Sequence, residues 1–197
     1  MTKGIVSGVV SNMVTLRVDG PVLQGEICYI TTGGDRLMAE VIKVVGSDVY
    51  VPVFESTRGL KVGSQAEFTG HQLEIQLGPG MLSKNYDGLQ NDLDKMDGVF
   101  LRRGQYTAPL DEDRLWDFEP IVKAGDRVQG SDWLGKVEEN HQPLKIMAPF
   151  QMEGTAVVKS IVPAGQYKVN DTIAVLTTEA GEDINVTMVQ HWPVKFA

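Results

Sequence analysis

Short runs in which apolar and polar residues alternate one for one, each cut off by glycine or proline, constrain this chain more than any other feature. Val14, Leu16 and Val18 alternate with Thr15, Arg17 and Asp19 before Gly20-Pro21. Val49, Val51 and Val53 alternate after the Gly46-Ser47-Asp48 turn, and Leu73, Ile75 and Leu77 repeat the pattern. A period of two sends one set of side chains inward and the other toward solvent, which is a half-buried strand. Several such strands between turn residues predict a small β-barrel or sandwich over residues 1–77. The 21 glycines and 9 prolines are spread along the chain, so turns punctuate it throughout.

The texture changes over residues 78–106. Gly78-Pro79-Gly80 ends the preceding strand, and Leu89, Leu93 and Met96 then recur at spacings of four and three. That spacing predicts one apolar stripe of a short helix, with Asp87 as its N-cap and Gly98 at its end. The segment reads as a joint between two β modules. Residues 107–186 read as β again, with an internal echo. Ile121-Val122-Lys123-Ala124-Gly125 recurs forty positions later as Ile161-Val162-Pro163-Ala164-Gly165. Each copy is followed by a polar turn, with Asp132 in the first and Asp171 in the second, and then an apolar strand. Two turns converging on similar residues would give this echo; so would a pseudo-twofold module of two interlocked half-units sharing a core, and the latter is the expectation.

Composition narrows the function classes. With 18 basic and 26 acidic residues the net charge is −8, unsuited to tracking a phosphate backbone or clamping onto an anionic membrane. The apolar share of 42% is enough for a packed core, and the length suits one large or two small domains. No apolar run approaches the roughly 20 residues that span a bilayer. The opening Met-Thr-Lys-Gly lacks the apolar stretch of a signal peptide. Cys28 is the single cysteine and cannot form an internal disulfide, which fits a reducing cytoplasm. The expected protein is soluble, acidic and cytoplasmic.

Tests for chemistry return no catalytic, cofactor-binding or metal-ligating residue. Neither Gly59-Leu60-Lys61-Val62-Gly63 nor Gly78-Pro79-Gly80 meets the phosphate-loop pattern, in which backbone amides cradle the phosphates and a lysine reaches the terminal ones. His71, His141 and His191 are scattered, without H-E-x-x-H or C-x-x-C spacing. A calcium loop starting at Asp92 would place Met96, Asp97 and Arg103 where an oxygen ligand, glycine and glutamate are needed, so Asp92, Asp94 and Asp97 read as a solvated helix face. Asp111, Glu112 and Asp113 read as a solvated turn and not as paired acid–base carboxylates. Cys28, within Ile27-Cys28-Tyr29-Ile30, has the setting of a buried, inert thiol. Trp116, Phe118 and Trp133 read as core or interface anchors.

The second β module resembles lipoyl and biotinyl carrier domains. Val122-Lys123-Ala124-Gly125-Asp126-Arg127-Val128 through Leu134-Gly135-Lys136-Val137-Glu138 is similar to their first half, and Ala148-Pro149 through Gly154-Thr155-Ala156-Val157-Val158 to the start of their second. The resemblance implies a barrel-sandwich fold. A carrier would need its modified lysine at the tip of the intervening hairpin, where this chain has Glu138-Glu139-Asn140-His141-Gln142. Lys145 falls in the return strand.

Taken whole, the chain resembles the N-terminal part of the catalytic subunit of V-type and archaeal-type ATPases and ATP synthases. The carrying residues are Glu55-Ser56-Thr57-Arg58-Gly59-Leu60-Lys61-Val62-Gly63, Glu74-Ile75-Gln76-Leu77-Gly78-Pro79-Gly80-Met81-Leu82 and Tyr86-Asp87-Gly88-Leu89-Gln90. Leu110-Asp111 through Trp116-Asp117-Phe118-Glu119-Pro120 and Thr187-Met188-Val189-Gln190-His191-Trp192-Pro193-Val194 follow in register. The chain departs from the family's Arg-Pro-Leu at Asn91-Asp92-Leu93, and matches the Gly-Pro turn loosely at Val18-Asp19-Gly20-Pro21-Val22.

The resemblance implies a mainly β architecture: an N-terminal barrel at 1–77, a helical joint at 78–106, and a bulge, or non-homologous, domain at 107–186. Residues 187–197 would begin the strand leading to a nucleotide-binding domain. The long insertion favours the catalytic subunit over the non-catalytic one and over the F-type subunits. For the parent it implies ATP hydrolysis or synthesis coupled to proton or sodium transport. ATP and Mg would bind beyond Ala197, so this portion is expected to be non-catalytic and free of cofactor. The implied partners are the non-catalytic and other catalytic subunits of the hexameric head and the peripheral stalk, with no nucleic acid and no membrane insertion. The implied place is cytoplasmic, peripheral to the membrane. A free-standing interaction or regulatory β module derived from the ATPase, or a lipoyl/biotinyl-like carrier domain, are the alternatives.

Overall fold

The computed structural model describes residues 2–96, 98 and 102–195 of the chain; Asp97 of the acidic stretch and the terminal Ala197 lie outside them. The fold is nearly all β. The chain divides into two units: Met1–Ile75, Lys95–Thr107 and Pro193–Ala197 form the first, and Gln76–Asp94 with Ala108–Trp192 the second. Residues 78–106 are thus divided between the two units.

The first unit holds β1 (Lys3–Val10), β2 (Met13–Val18), β3 (Glu26–Thr32), β4 (Asp35–Glu40), β5 (Lys43–Val45), β6 (Asp48–Pro52) and β7 (Gln65–Gln72). They form one sheet in the order β4-β3-β7-β1-β2-β6-β5. The sheet curls until β4 returns to the end of β6, where Ala39 and Val53 form a bridge. The alternation read from the sequence decides the inward face: Val14, Leu16, Val49, Val51 and Val53 are buried together with Cys28, Ile30, Leu37 and Phe68. A bulge in β1 between Val6 and Gly8 shifts the register with β2 and bends the wall, as bulges do at barrel corners.

Strands β8 (Glu74–Leu77) and β17 (Gln190–Pro193) pair as a two-stranded sheet. The inward–outward alternation expected for Leu73, Ile75 and Leu77 is absent, because every residue of β8 is half-buried. A two-stranded ribbon offers no deep core to sort its faces.

The helix expected over residues 87–98 is also absent; one 3-10 turn, Leu93–Lys95, is all that forms among the described residues. Asp87 does accept from nearby amides, as an N-cap would, but from Leu89 at 2.9 Å and Asn91 at 2.8 Å, with the Asn91 side-chain amide also at 2.8 Å. That carboxylate closes a turn in place of starting a helix. Gln90 sits at φ 60°, a left-handed conformation that stops helical propagation. Its side chain instead exchanges two hydrogen bonds of 2.7 Å with the backbone of Gln76.

The second unit is a sandwich of β9 (Leu115–Pro120), β10 (Arg127–Gln129), β11 (Trp133–Glu139), β12 (Gln142–Met147), β13 (Thr155–Ile161), β14 (Gly165–Lys168), β15 (Ala174–Thr178) and β16 (Asp183–Val186). Its sheets run β10-β13-β15-β16 and β12-β11-β9-β14. Exchanging β9–β12 for β13–β16 turns either sheet order into the other, so the internal echo marks two interlocked half-units. The turns obey the same symmetry. The Gln129 amide donates to the Asp132 carboxylate at 2.7 Å and the Lys168 amide to the Asp171 carboxylate at 2.8 Å. In each turn the aspartate amide then donates back, to Gln129 or Lys168, at 3.1 Å. Two cores fill the unit, one around Trp116, Phe118, Val137 and Ile173, the other around Leu134, Val158 and Leu176.

Candidate functional site

The residues singled out by sequence are dispersed by the fold. His71 ends β7 in the first unit, His141 tips a hairpin of the second, and His191 lies in β17. No group of three or more His, Cys, Asp or Glu side chains able to hold a metal occurs among the described residues. Cys28 is fully buried, and desolvation, helped by the nearby Glu26 charge, pushes its thiol up to about 12. A thiol held protonated is a poor nucleophile.

The acidic runs behave differently from one another. Asp111 accepts from the amides of Asp113 and Arg114 at 3.1 and 3.2 Å, closing an exposed turn. Asp113 pairs with Lys168 at 2.8 Å, and the hydrogen bond and charge of that ammonium lower its pKa. Asp92 corrects the solvated-face reading: it is 1% exposed, with the Lys84 ammonium at 3.3 Å, and its Oδ1 accepts from the Asp94 amide at 3.1 Å. Asp94 is exposed as expected, but without the helix the loop folds the Asp92 carboxylate inward onto a cation.

Strands β11 and β12 form the hairpin that corresponds to a carrier domain's lysine arm. Its tip is Asn140-His141, both left-handed at φ 51° and 63°, a conformation matching the right-handed twist of the strands. The His141 side chain is almost fully exposed, 3.4 Å from Glu138. Lys145 sits in β12 opposite Lys136, its ammonium over the Trp133 ring. Trp116 and Phe118 are core residues, whereas Trp133 is half exposed. The outer face of β9, β11 and β12 forms an open groove of about 720 Å³, with Asp117, Glu119, Lys136, Glu138 and His141 along it.

Glu139 was not anticipated from the sequence. It is buried at the end of β11, and its Oε1 accepts the amides of Gly80 and Leu82, both at 3.0 Å. A buried carboxylate is tolerated because two backbone donors satisfy it, and it fixes the Gly78-Pro79-Gly80 turn in return. Its one sequence signal is parity: Glu139 lies two residues beyond inward-facing Val137, so alternation sends it inside.

Known proteins account for both units. The model of the ATP synthase alpha/beta family β-barrel domain matches residues 6–70, and that of the ATP synthase alpha/beta subunit barrel-sandwich domain matches residues 107–195. A V-type ATP synthase alpha chain of Borreliella afzelii (strain PKo) is 44% identical over 197 residues, 98% of this chain and 34% of that protein. The one from Treponema denticola (strain ATCC 35405) is 45% identical over 199 residues, 100% of this chain and 34% of that protein. The one from Borrelia turicatae (strain 91E135) is 44% identical over 196 residues. The chain spans about a third of the length of the curated relatives it matches. With both β units matched in order and similarity running from end to end, the chain belongs to the ATP synthase alpha/beta family and is similar to the V-type alpha chain over its N-terminal region.

Proposed function

We propose that this chain is the N-terminal portion of a rotary ATPase catalytic subunit and that its own work is mechanical. The whole subunit would hydrolyse or synthesise ATP in a soluble head, driving or driven by proton or sodium movement. ATP and magnesium belong to the remainder of that subunit, and we assign no residue here to either. The barrel of β1–β7 would stand beside the barrels of the non-catalytic subunits and of other catalytic subunits in a crown that holds the hexamer together. The sandwich of β9–β16 would meet the peripheral stalk and resist rotor torque, on the cytoplasmic side of the membrane.

The observation that carries this reading is the architecture itself. Each unit is built on closely packed β cores of its own, and Asp87, Asp92, Asp111, Asp113, Asp132 and Asp171 are spent on turns and ion pairs. A β scaffold with a packed interior deforms little under load, as close-packed interiors are weakly compressible. The test is assembly. Mixed with the cognate non-catalytic subunit and stalk subunits and examined by native mass spectrometry, the chain is expected to form defined complexes with both. Persistence as an unassociated species at micromolar concentrations of all components contradicts the scaffold role.

A further inference from the structure

The first unit is assembled from three separate pieces of sequence. Its middle piece, Lys95–Thr107, rejoins the barrel after the chain has passed through Gln76–Asp94 of the other unit. Residues 102–107 form no strand, yet two of their side chains make the same connection twice. Arg103 donates through its guanidinium to the Arg58 carbonyl, while its Nε lies 3.6 Å from the Asp35 carboxylate. The Tyr106 hydroxyl donates to Glu55 Oε1 and accepts from the Met38 amide at 2.9 Å, and the same amide reaches Glu55 Oε2 at 3.2 Å. Each side chain therefore ties β4, at Asp35 or Met38, to the segment after β6, at Glu55 or Arg58.

The packing presses this strap onto β4. The Tyr106 ring meets Tyr29 edge-on at 6.0 Å, and the other partner of Tyr29 is the Arg36 guanidinium, 4.0 Å from the ring centre. Gly104 is left-handed at φ 68°, and a Cβ there would come within 3.2 Å of the Asp35 side chain and 3.3 Å of the Arg36 amide. Only glycine satisfies both the backbone conformation and the close approach.

The location gives the strap its meaning, because β4 and β6 are where the barrel closes. The ladder there is thin: the Ala39–Val53 bridge and a hydrogen bond of 3.0 Å from the Phe54 amide to the Met38 carbonyl. By contrast β4 is paired with β3 along its whole length, from Ile27–Glu40 to Thr32–Asp35. The rest of the β6 edge is taken by β5, from Lys43–Tyr50 to Val45–Asp48, so it is the outer edge of β4 that these few backbone bonds leave nearly free at the seam.

We propose that residues 102–107 are a clasp that closes the barrel seam. Arg103 and Tyr106 supply the polar contacts that the β4–β6 ladder lacks. The seam shuts when the chain, having left the barrel at Ile75, returns to it. Releasing the clasp frees the outer edge of β4 and the Val53-Phe54 stretch that meets it, while β5–β6 and the wall of β7, β1 and β2 keep their ladders. This makes the closed barrel conditional on the segment that runs on into the second unit at Ala108, and gives that segment a route to control which barrel edge is available for pairing.

The test is hydrogen exchange, read by mass spectrometry on the whole 197-residue chain with Tyr106→Phe, Arg103→Gln and the double variant. Peptides covering 36–40 and 53–58 are expected to exchange at least about tenfold faster in the double variant, which removes three hydrogen bonds, two of them involving a charged group. Peptides from β1, β2 and residues 115–178 are expected to be unchanged. Unchanged seam exchange overturns the proposal, and so does an equal rise throughout the barrel, which would mark general destabilisation. Should the double variant fail to fold, Tyr106→Phe decides alone. It keeps the ring against Tyr29 and removes only the hydroxyl, so selective acceleration at Met38 supports the clasp and its absence refutes it.

Discussion

Cys28 and His141 are opposite extremes of one rule, that a side chain's chemistry is set by its surroundings. Cys28 is in the barrel core, and an unfolded chain would ionise that thiol near its ordinary 9.0 while the folded chain holds it to about 12. Stability is therefore unaffected by this group below pH 9. It falls as the pH rises from 9 toward 12, because the unfolded state loses the proton first. Compared with Cys28→Ala, the wild-type chain is expected to lose stability more steeply in that window, as measured by urea titration at stepped pH. Parallel slopes would show that the thiol is not desolvated. His141 is exposed and carries a backbone penalty instead, since a left-handed φ of 63° disfavours a residue with a Cβ. His141→Gly would create the Asn-Gly tip that two-residue hairpins prefer and is expected to stabilise the sandwich by about 0.5–1 kcal/mol, seen as a rise in Tm. The ion pair lost with Glu138 is fully in solvent and contributes little.

Elements in this chain were legible in sequence wherever a face had a deep core to choose. Val14, Leu16, Val49, Val51 and Val53 alternate because the barrel interior sorts them, and their strands were recovered from period alone. The forty-residue echo likewise carried through to two sheets of interchangeable order. The expected helix failed for a reason that spacing cannot encode. Leu89, Leu93 and Met96 have helical spacing, but Asp87, Gln90 and Asn91 place their polar groups where turns satisfy them better. Glu139, Arg103 and Tyr106 were missed because their partners are 45 or more residues away, beyond any local pattern. Gly135 shows an element fixed by a single missing atom. A Cβ there would fall 2.2 Å from the Phe118 ring and 2.8 Å from the Glu119 carbonyl, where β11 pairs with β9. Gly135→Ala is expected to destabilise the sandwich by about 1–3 kcal/mol through overpacking, read from chemical unfolding followed by tryptophan fluorescence. An unchanged midpoint would mean that β9 and β11 yield freely.

At the scale of the whole molecule, two β units, each with its own packed core, account for every strand but β8 and β17, and no helix among the described residues is long and apolar enough to cross a membrane. Family membership was legible from ordered segments such as Glu55–Gly63 and Glu74–Leu82. The clasp was not, because it appears only when Lys95–Thr107 is seen to return to the barrel. We propose that this chain, as a portion of a catalytic subunit, holds and braces while nucleotide chemistry happens elsewhere. The most direct test is an equilibrium titration of the purified chain with magnesium and ATP, followed by calorimetry. No saturable binding in the micromolar range is expected; a one-to-one isotherm with micromolar affinity would contradict the scaffold role.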